Sequence, residues 1–271
     1  MSTVRIRTCL IGAVCVGIFG VIAFQRYHAA RHFGHPLLLT GWSLFGLFIL
    51  LASFNARKRL SMLPVGNATT WLLIHVGGGI LALAIFWLHT RTLWPRGLYE
   101  QVLALLFYLL TANGLLGYFL QRIYPSRLTQ TGIEIIYERI PAELADIRHQ
   151  AEALVLASTQ ETASEVLAQH YQQTFSWFFQ QPRFIISHLL GGLHGEQWIR
   201  YHCSTVERYL NTVERGYLDR LARLARLKQQ IDIHYAVQSV MKGWLLIHLP
   251  LAAAVLTLVM WHILLVHIYA V

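Results

Sequence analysis

Apolar residues run along this chain in blocks, and five blocks reach or approach the roughly 20 residues that cross a bilayer as a helix: 8–24, 36–54, 69–89, 98–120 and 243–269. The stretch 121–242 has no such block and alternates polar with apolar positions at helical spacing. Within it Pro141 suits a first helical turn before a run over Ala142–Ser158, a second run covers Ser164–Gln180, and Pro182 ends it. A long amphipathic helix is expected from Glu196 to about Val240, with Val206, Leu210, Val213, Tyr217, Leu221, Leu224, Leu227 and Ile231 on its apolar stripe. Residues Gly132–Tyr137 could equally form a short strand. The predicted fold is therefore all-α: an integral membrane bundle of about five transmembrane helices with a helical cytoplasmic insertion between the fourth and fifth. Its parts are 1–120 with the first four spans, 121–242 as the inserted domain, and 243–271 as the span that completes the bundle.

Charge follows the same division. Of 13 acidic residues only Glu100 precedes Glu134, and nine of the 22 basic residues fall within the first 120. The net charge of +9 thus arises in the membrane part, where it reports topology and not nucleic acid. Arg5, Arg7 and the Arg57-Lys58-Arg59 loop, with Arg122 and Arg127 at the head of the insertion, place the N-terminus inside and the C-terminus outside. No convincing cleavage site follows Phe24, so the first block reads as a signal-anchor helix. Cys9, Cys15 and Cys203 are too few and too scattered for a disulfide framework or a thiolate cluster, and no CxxCH occurs.

Histidine carries the chemistry. An ionisable side chain in a span is costly unless a partner compensates it, so its presence is a functional signal. His75 and His89 lie on the third span, and His248 and His262 on the fifth. Fourteen residues turn a helix by about 1400°, close to four whole turns, and advance it by about 21 Å, so both members of a pair share a face at two depths. The neighbourhood is duplicated: Trp71-Leu72-Leu73-Ile74-His75 recurs as Trp244-Leu245-Leu246-Ile247-His248, followed by Trp87 and His89 in one copy and Trp261 and His262 in the other. The spans run in the same direction by topology, so His75 faces His248 near the cytoplasmic side and His89 faces His262 near the outer side. Facing imidazoles can take both axial positions of a haem iron. His267, nineteen residues beyond His248, is rotated about 100° off that face. Gly77, Gly78 and Gly79 would let a flat macrocycle approach the backbone.

Two parallel helices with histidines paired at this spacing resemble the dihaem core of membrane cytochromes b, including the cytochrome b561 and ferric-reductase-like transmembrane groups, over residues 69–89 and 243–269. The resemblance implies two non-covalent b-type haems, electron transfer across the membrane, and exchange with a quinone. The expected function is a cytochrome b subunit of a membrane oxidoreductase, relaying electrons between a quinone pool or cytoplasmic-side partner subunit and an outer-face acceptor such as a c-type cytochrome. The expected location is the bacterial cytoplasmic (inner) membrane. Arg91 and Arg96 on the outer side, and Arg57 to Arg59 on the inner, could neutralise haem propionates. Glu100 could accept protons from quinol, and His35, with His28 and His32, could serve a quinone or metal site. One alternative is a haem-dependent reductase of metal ions or small molecules at the outer face. Another is a membrane scaffold or transporter subunit in which the histidines pack helices or relay protons.

Overall fold

A computed structural model describes residues 3–32, 34–54 and 67–269. All regular structure among them is helical: α1 Thr3–Arg31, α2 Pro36–Ala52, α3 Ala68–Thr90, α4 Leu98–Gln130, α5 Ile140–Thr162, α6 Val166–His170, α7 Ser176–Gln180, α8 Ile185–Leu190, α9 His194–Glu207 and α10 Thr212–Tyr269. A 3₁₀ turn covers Tyr137–Arg139, and a π turn, Tyr171–Phe175, joins α6 to α7. Residues 133–136 form no strand. The chain divides into two compact units, 1–120 with 244–271, and 121–243.

In the first unit α1, α3, α4 and α10 are long and apolar enough to cross a membrane, and α2 is a shorter apolar helix of 17 residues. Large apolar side chains such as Leu10, Val16, Phe24 and Phe119 are exposed around this unit. Such a surface would be costly in water and is matched by lipid, so the chain is a membrane-spanning helical protein. Small residues let the helices close up. A Cβ on Gly77 would meet Ile11 Cγ2 of α1 at 3.0 Å, and one on Gly78 would meet Leu51 Cδ2 of α2 at 2.9 Å. The core lies around the middle of α3, where Leu81, Ala82, Ile85 and Phe86 pack with Leu44, Ala104, Phe107 and Val255.

The second unit is built on a core that includes Phe175, Phe178, Phe179, Leu221 and Ala225. The amphipathic helix expected from Glu196 to Val240 is broken at 208–211. The cause is a reciprocal cap at the head of α10: Glu214 N–H donates to Asn211 Oδ1 and Asn211 N–H donates to Glu214 Oε2, both at 2.9 Å. From that cap α10 continues without interruption into the last apolar block. Arg127 donates to the carbonyls of His188 and Leu189, satisfying the C-terminal end of α8 where Gly191 turns left-handed at φ +78°.

A buried ion pair ties α10 to the segment after α7. Lys228, fully buried, donates to Asp232 Oδ2 at 2.6 Å and to the Gln181 carbonyl at 2.8 Å, and its ammonium lies 4.2 Å from the Phe178 ring centroid. Asp232 also accepts from the Arg183 N–H at 3.2 Å. His188 is buried nearby with its Nε2 unpartnered, and burial together with the Lys228 charge pushes it down to about 4. Its unfolded value is about 6.5, so below that pH the unfolded chain binds the proton that the folded chain refuses. His188 by itself therefore removes up to about 3 kcal/mol of stability as pH drops from about 6.5 towards 4, whereas Asp232, which burial pushes up to about 6, takes up its proton in the folded state first and works the other way. Lowering the pH from 7.5 to 5 should therefore move the denaturation midpoint of His188→Phe upwards relative to the shift seen in the parent chain, because only the Asp232 contribution is left.

Candidate functional site

Contacts within the first unit set the directions of its helices. Arg7 Nη1 on α1 donates to Thr70 Oγ1 at the start of α3 at 3.2 Å, while the far end of α3 meets the start of α2 through His89 and Thr40. On α4, Tyr99 meets α10 near His262 and Asn113 meets it near His248. It follows that α3 and α10 run parallel, with α2 and α4 opposed to them.

The structure brings the four span histidines together as two pairs. The ring centroids of His75 and His248 lie 6.4 Å apart, and those of His89 and His262 lie 6.5 Å apart. No hydrogen bond joins either pair. A direct N–H···N bond of about 2.9 Å between two imidazoles would bring the centroids to about 5.2 Å. Two imidazoles bound end-on to one metal at about 2.0–2.1 Å each would hold them about 6.3 Å apart. Both observed separations match the metal-bridged value. Between the two levels lies the apolar layer of Phe86, Phe107 and Val255.

Hydrogen bonds fix the ring chemistry of one member of each pair. Thr40, fully buried, has its hydroxyl 3.1 Å from the Pro36 and Leu37 carbonyls and 2.9 Å from His89 Nδ1, so a hydroxyl proton given to either carbonyl leaves a lone pair to accept from His89. In that arrangement His89 carries its proton on Nδ1 and leaves Nε2 as a lone pair. Asn113 Oδ1, assigned as the amide oxygen, stands 3.1 Å from His248 Nδ1 and gives the same tautomer. The partners are held differently. His262 stacks on Tyr99 at 6.2 Å, and the Tyr99 hydroxyl donates to the Leu258 carbonyl at 2.6 Å. His75 packs 4.9 Å from Phe54, and its Nδ1 is buried without a partner.

Glycines on the neighbouring helices make this close approach possible. A Cβ on Gly41 would stand 3.3 Å from His89 Cε1, and one on Gly114 would stand 3.6 Å from His248 Cε1. At Gly117 a Cβ would collide with the Trp244 indole, which stacks on the His248 ring at 5.3 Å and donates Nε1–H to the Asn113 carbonyl. Gly77 and Gly78 were expected to let a flat cofactor approach the backbone. Their open sides are filled by Ile11, Cys15 and Leu51, while Gly79 has no neighbouring atom within 4 Å. Thr40, Gly41, Asn113, Gly114 and Tyr99 were not singled out from the sequence. Thr40 and Asn113 were accessible by the argument applied to the histidines, since each is polar inside an apolar block.

Charge around the outer pair is mainly positive. Arg26 lies within electrostatic reach of both His89 and Arg91, and neither arginine, nor Arg96, forms an ion pair with a carboxylate among the described residues. Glu100, in the first turn of α4, lies within reach of His262 and folds back over Gly97, whose φ of +104° suits glycine. His35 precedes α2 as its N-cap residue. His28 and His32 stack on each other at 4.2 Å. His267 is spent elsewhere: its Nδ1 donates to the Ile263 carbonyl at 2.8 Å and its ring packs on Trp42. The Arg57-Lys58-Arg59 loop lies outside the described residues.

Two facing imidazoles at each level are a donor set that a haem could use. Among the described residues no group of three histidine, cysteine or carboxylate ligands converges. A porphyrin supplies four in a plane, and its propionates suit arginines that have no carboxylate partner. Comparison with known proteins found no match to any family model, to any curated protein or to any solved structure.

Proposed function

We propose that this chain is a dihaem b-type cytochrome, a subunit that carries electrons across the bacterial cytoplasmic membrane between a quinone pool or cytoplasmic-side partner subunit and an outer-face acceptor such as a c-type cytochrome. The observation that carries this reading is the pair of facing imidazoles at each of two levels, separated by 6.4 and 6.5 Å. His75 and His248 would hold the inner haem, and His89 and His262 the outer one. Each haem, when bound, supplies a one-electron iron couple.

The residues of the chain do the rest. Thr40 and Asn113 orient His89 and His248, Arg26 and Arg91 offer cations to propionates, and the apolar layer of Phe86, Phe107 and Val255 keeps water from the path between the two levels. Glu100, at the outer level, is placed to take up a proton when a quinol is oxidised there. In this reading α2 is the fifth span: its 17 residues reach about 25 Å, near the lower limit for a bilayer. The unit 121–243 is then cytoplasmic, with the N-terminus inside and the C-terminus outside.

The deciding experiment is a reduced-minus-oxidised absorption spectrum of the purified chain with pyridine haemochrome quantification. Two b-type haems per chain are expected. No haem in protein produced with ample supply overturns the reading and leaves a membrane scaffold or transporter subunit in its place.

A further inference from the structure

The two levels are anchored in the same asymmetric manner. At each level one histidine has its Nδ1 proton held by a polar side chain of a third helix, and the opposing histidine has none. At the inner level the anchor is Asn113 of α4 on His248, at 3.1 Å, opposite His75 with its unpartnered Nδ1. At the outer level it is Thr40 of α2 on His89, at 2.9 Å, opposite His262, which is held by stacking on Tyr99. Neither anchor is incidental to helix geometry. Thr40 is fully buried with two carbonyls of its own helix in reach of its hydroxyl proton, and a proton given to either turns a lone pair towards His89 Nδ1 at 2.9 Å. Asn113 is fixed on the other side, because its carbonyl accepts the Trp244 indole proton and Trp244 lies on the His248 ring.

We infer that Thr40 and Asn113 are positioning residues, each of which selects the metal-binding tautomer of one histidine and tunes the electron affinity of one of the two haem sites. This inference rests on the dihaem reading. The physics is that of an outer-shell acceptor: accepting a hydrogen bond from Nδ1–H makes the imidazole a stronger electron donor through Nε2. A stronger donor stabilises the oxidised iron, so each acceptor lowers the reduction potential of its own site and leaves the other unaffected. The two couples are thereby adjustable independently, from two different helices.

The test is a potentiometric titration of the purified haem-loaded chain and of four variants, following the two couples optically. Thr40→Val removes the hydroxyl with little change in shape and is expected to move one couple to more positive potential; Thr40→Ser retains the hydroxyl and should restore the parent value. Asn113→Leu should move the other couple upward, and Asn113→Asp, a stronger acceptor, should move it down. Loss of one haem in Thr40→Val with retention in Thr40→Ser also supports the assignment, since only the hydroxyl differs in kind. Both couples unmoved in Thr40→Val and Asn113→Leu would overturn it, as would equal haem loss in Thr40→Val and Thr40→Ser. Absence of haem from the parent chain would instead overturn the dihaem reading itself, so the two failures are distinct.

Discussion

Replacing His75 or His248 by alanine is expected to lower the haem content from two per chain to one, and replacing His89 or His262 to do the same for the other haem. On the dihaem reading proposed above, each variant would remove one of two protein ligands of a single iron, and the levels are separated by about 21 Å of helix, too far for one site to collapse with the other. The remaining haem should keep its own potential, so titration would show one unchanged couple and one absent. His267→Ala serves as the control, since its ring packs on Trp42 and its Nδ1 is bonded to its own helix; both haems should remain. Pyridine haemochrome quantification on each purified variant checks the set. Loss of both haems from all four variants would contradict independent sites, and two haems in any one of them would remove that histidine from the ligand set.

The second large effect lies far from the histidines in sequence. Lys228→Met is expected to destabilise the unit 121–243 by about 3–5 kcal/mol, because Asp232 is then left buried with its counter-charge gone. Asp232→Leu should cost a similar amount for the converse reason. The double variant Lys228→Met, Asp232→Leu should recover most of the loss, since the attraction between two fully desolvated charges offsets only part of what their dehydration costs. In thermal unfolding each single variant should melt about 10 °C lower and the double variant close to the parent. Haem content, read on the same samples, should not change, which separates this effect from any failure of the membrane unit. Single variants that melt with the parent would show that water reaches the pair and that it contributes as weakly as a surface bridge.

The Lys228–Asp232 pair also illustrates what a one-dimensional reading misses. An i, i+4 lysine–aspartate pair on an amphipathic helix reads as an exposed bridge, and only the packing of Phe178 and the 181–183 segment over it makes it a buried one. The break at 208–211 had a local signal in Asn211-Thr212-Val213-Glu214, but the apolar stripe continued at helical spacing on both sides and concealed it. The glycines after His75 had several possible neighbours, and the fold chose Leu51 for Gly78 and Ile11 with Cys15 for Gly77.

By itself the sequence determined the helical class, the apolar blocks that cross the bilayer, and the placing of His75 with His89 and of His248 with His262 on one face of each helix. These follow from local rules: a bilayer demands internally bonded apolar helices, and a 3.6-residue period decides which side chains share a face. The tertiary structure alone decided the rest. It set the 6.4 and 6.5 Å gaps, chose Thr40 and Asn113 to hold one histidine at each level, and turned Gly41 and Gly114 towards the rings. Those outcomes depend on how helices distant in sequence rotate and draw together, and no periodicity within a single helix encodes its rotation relative to another.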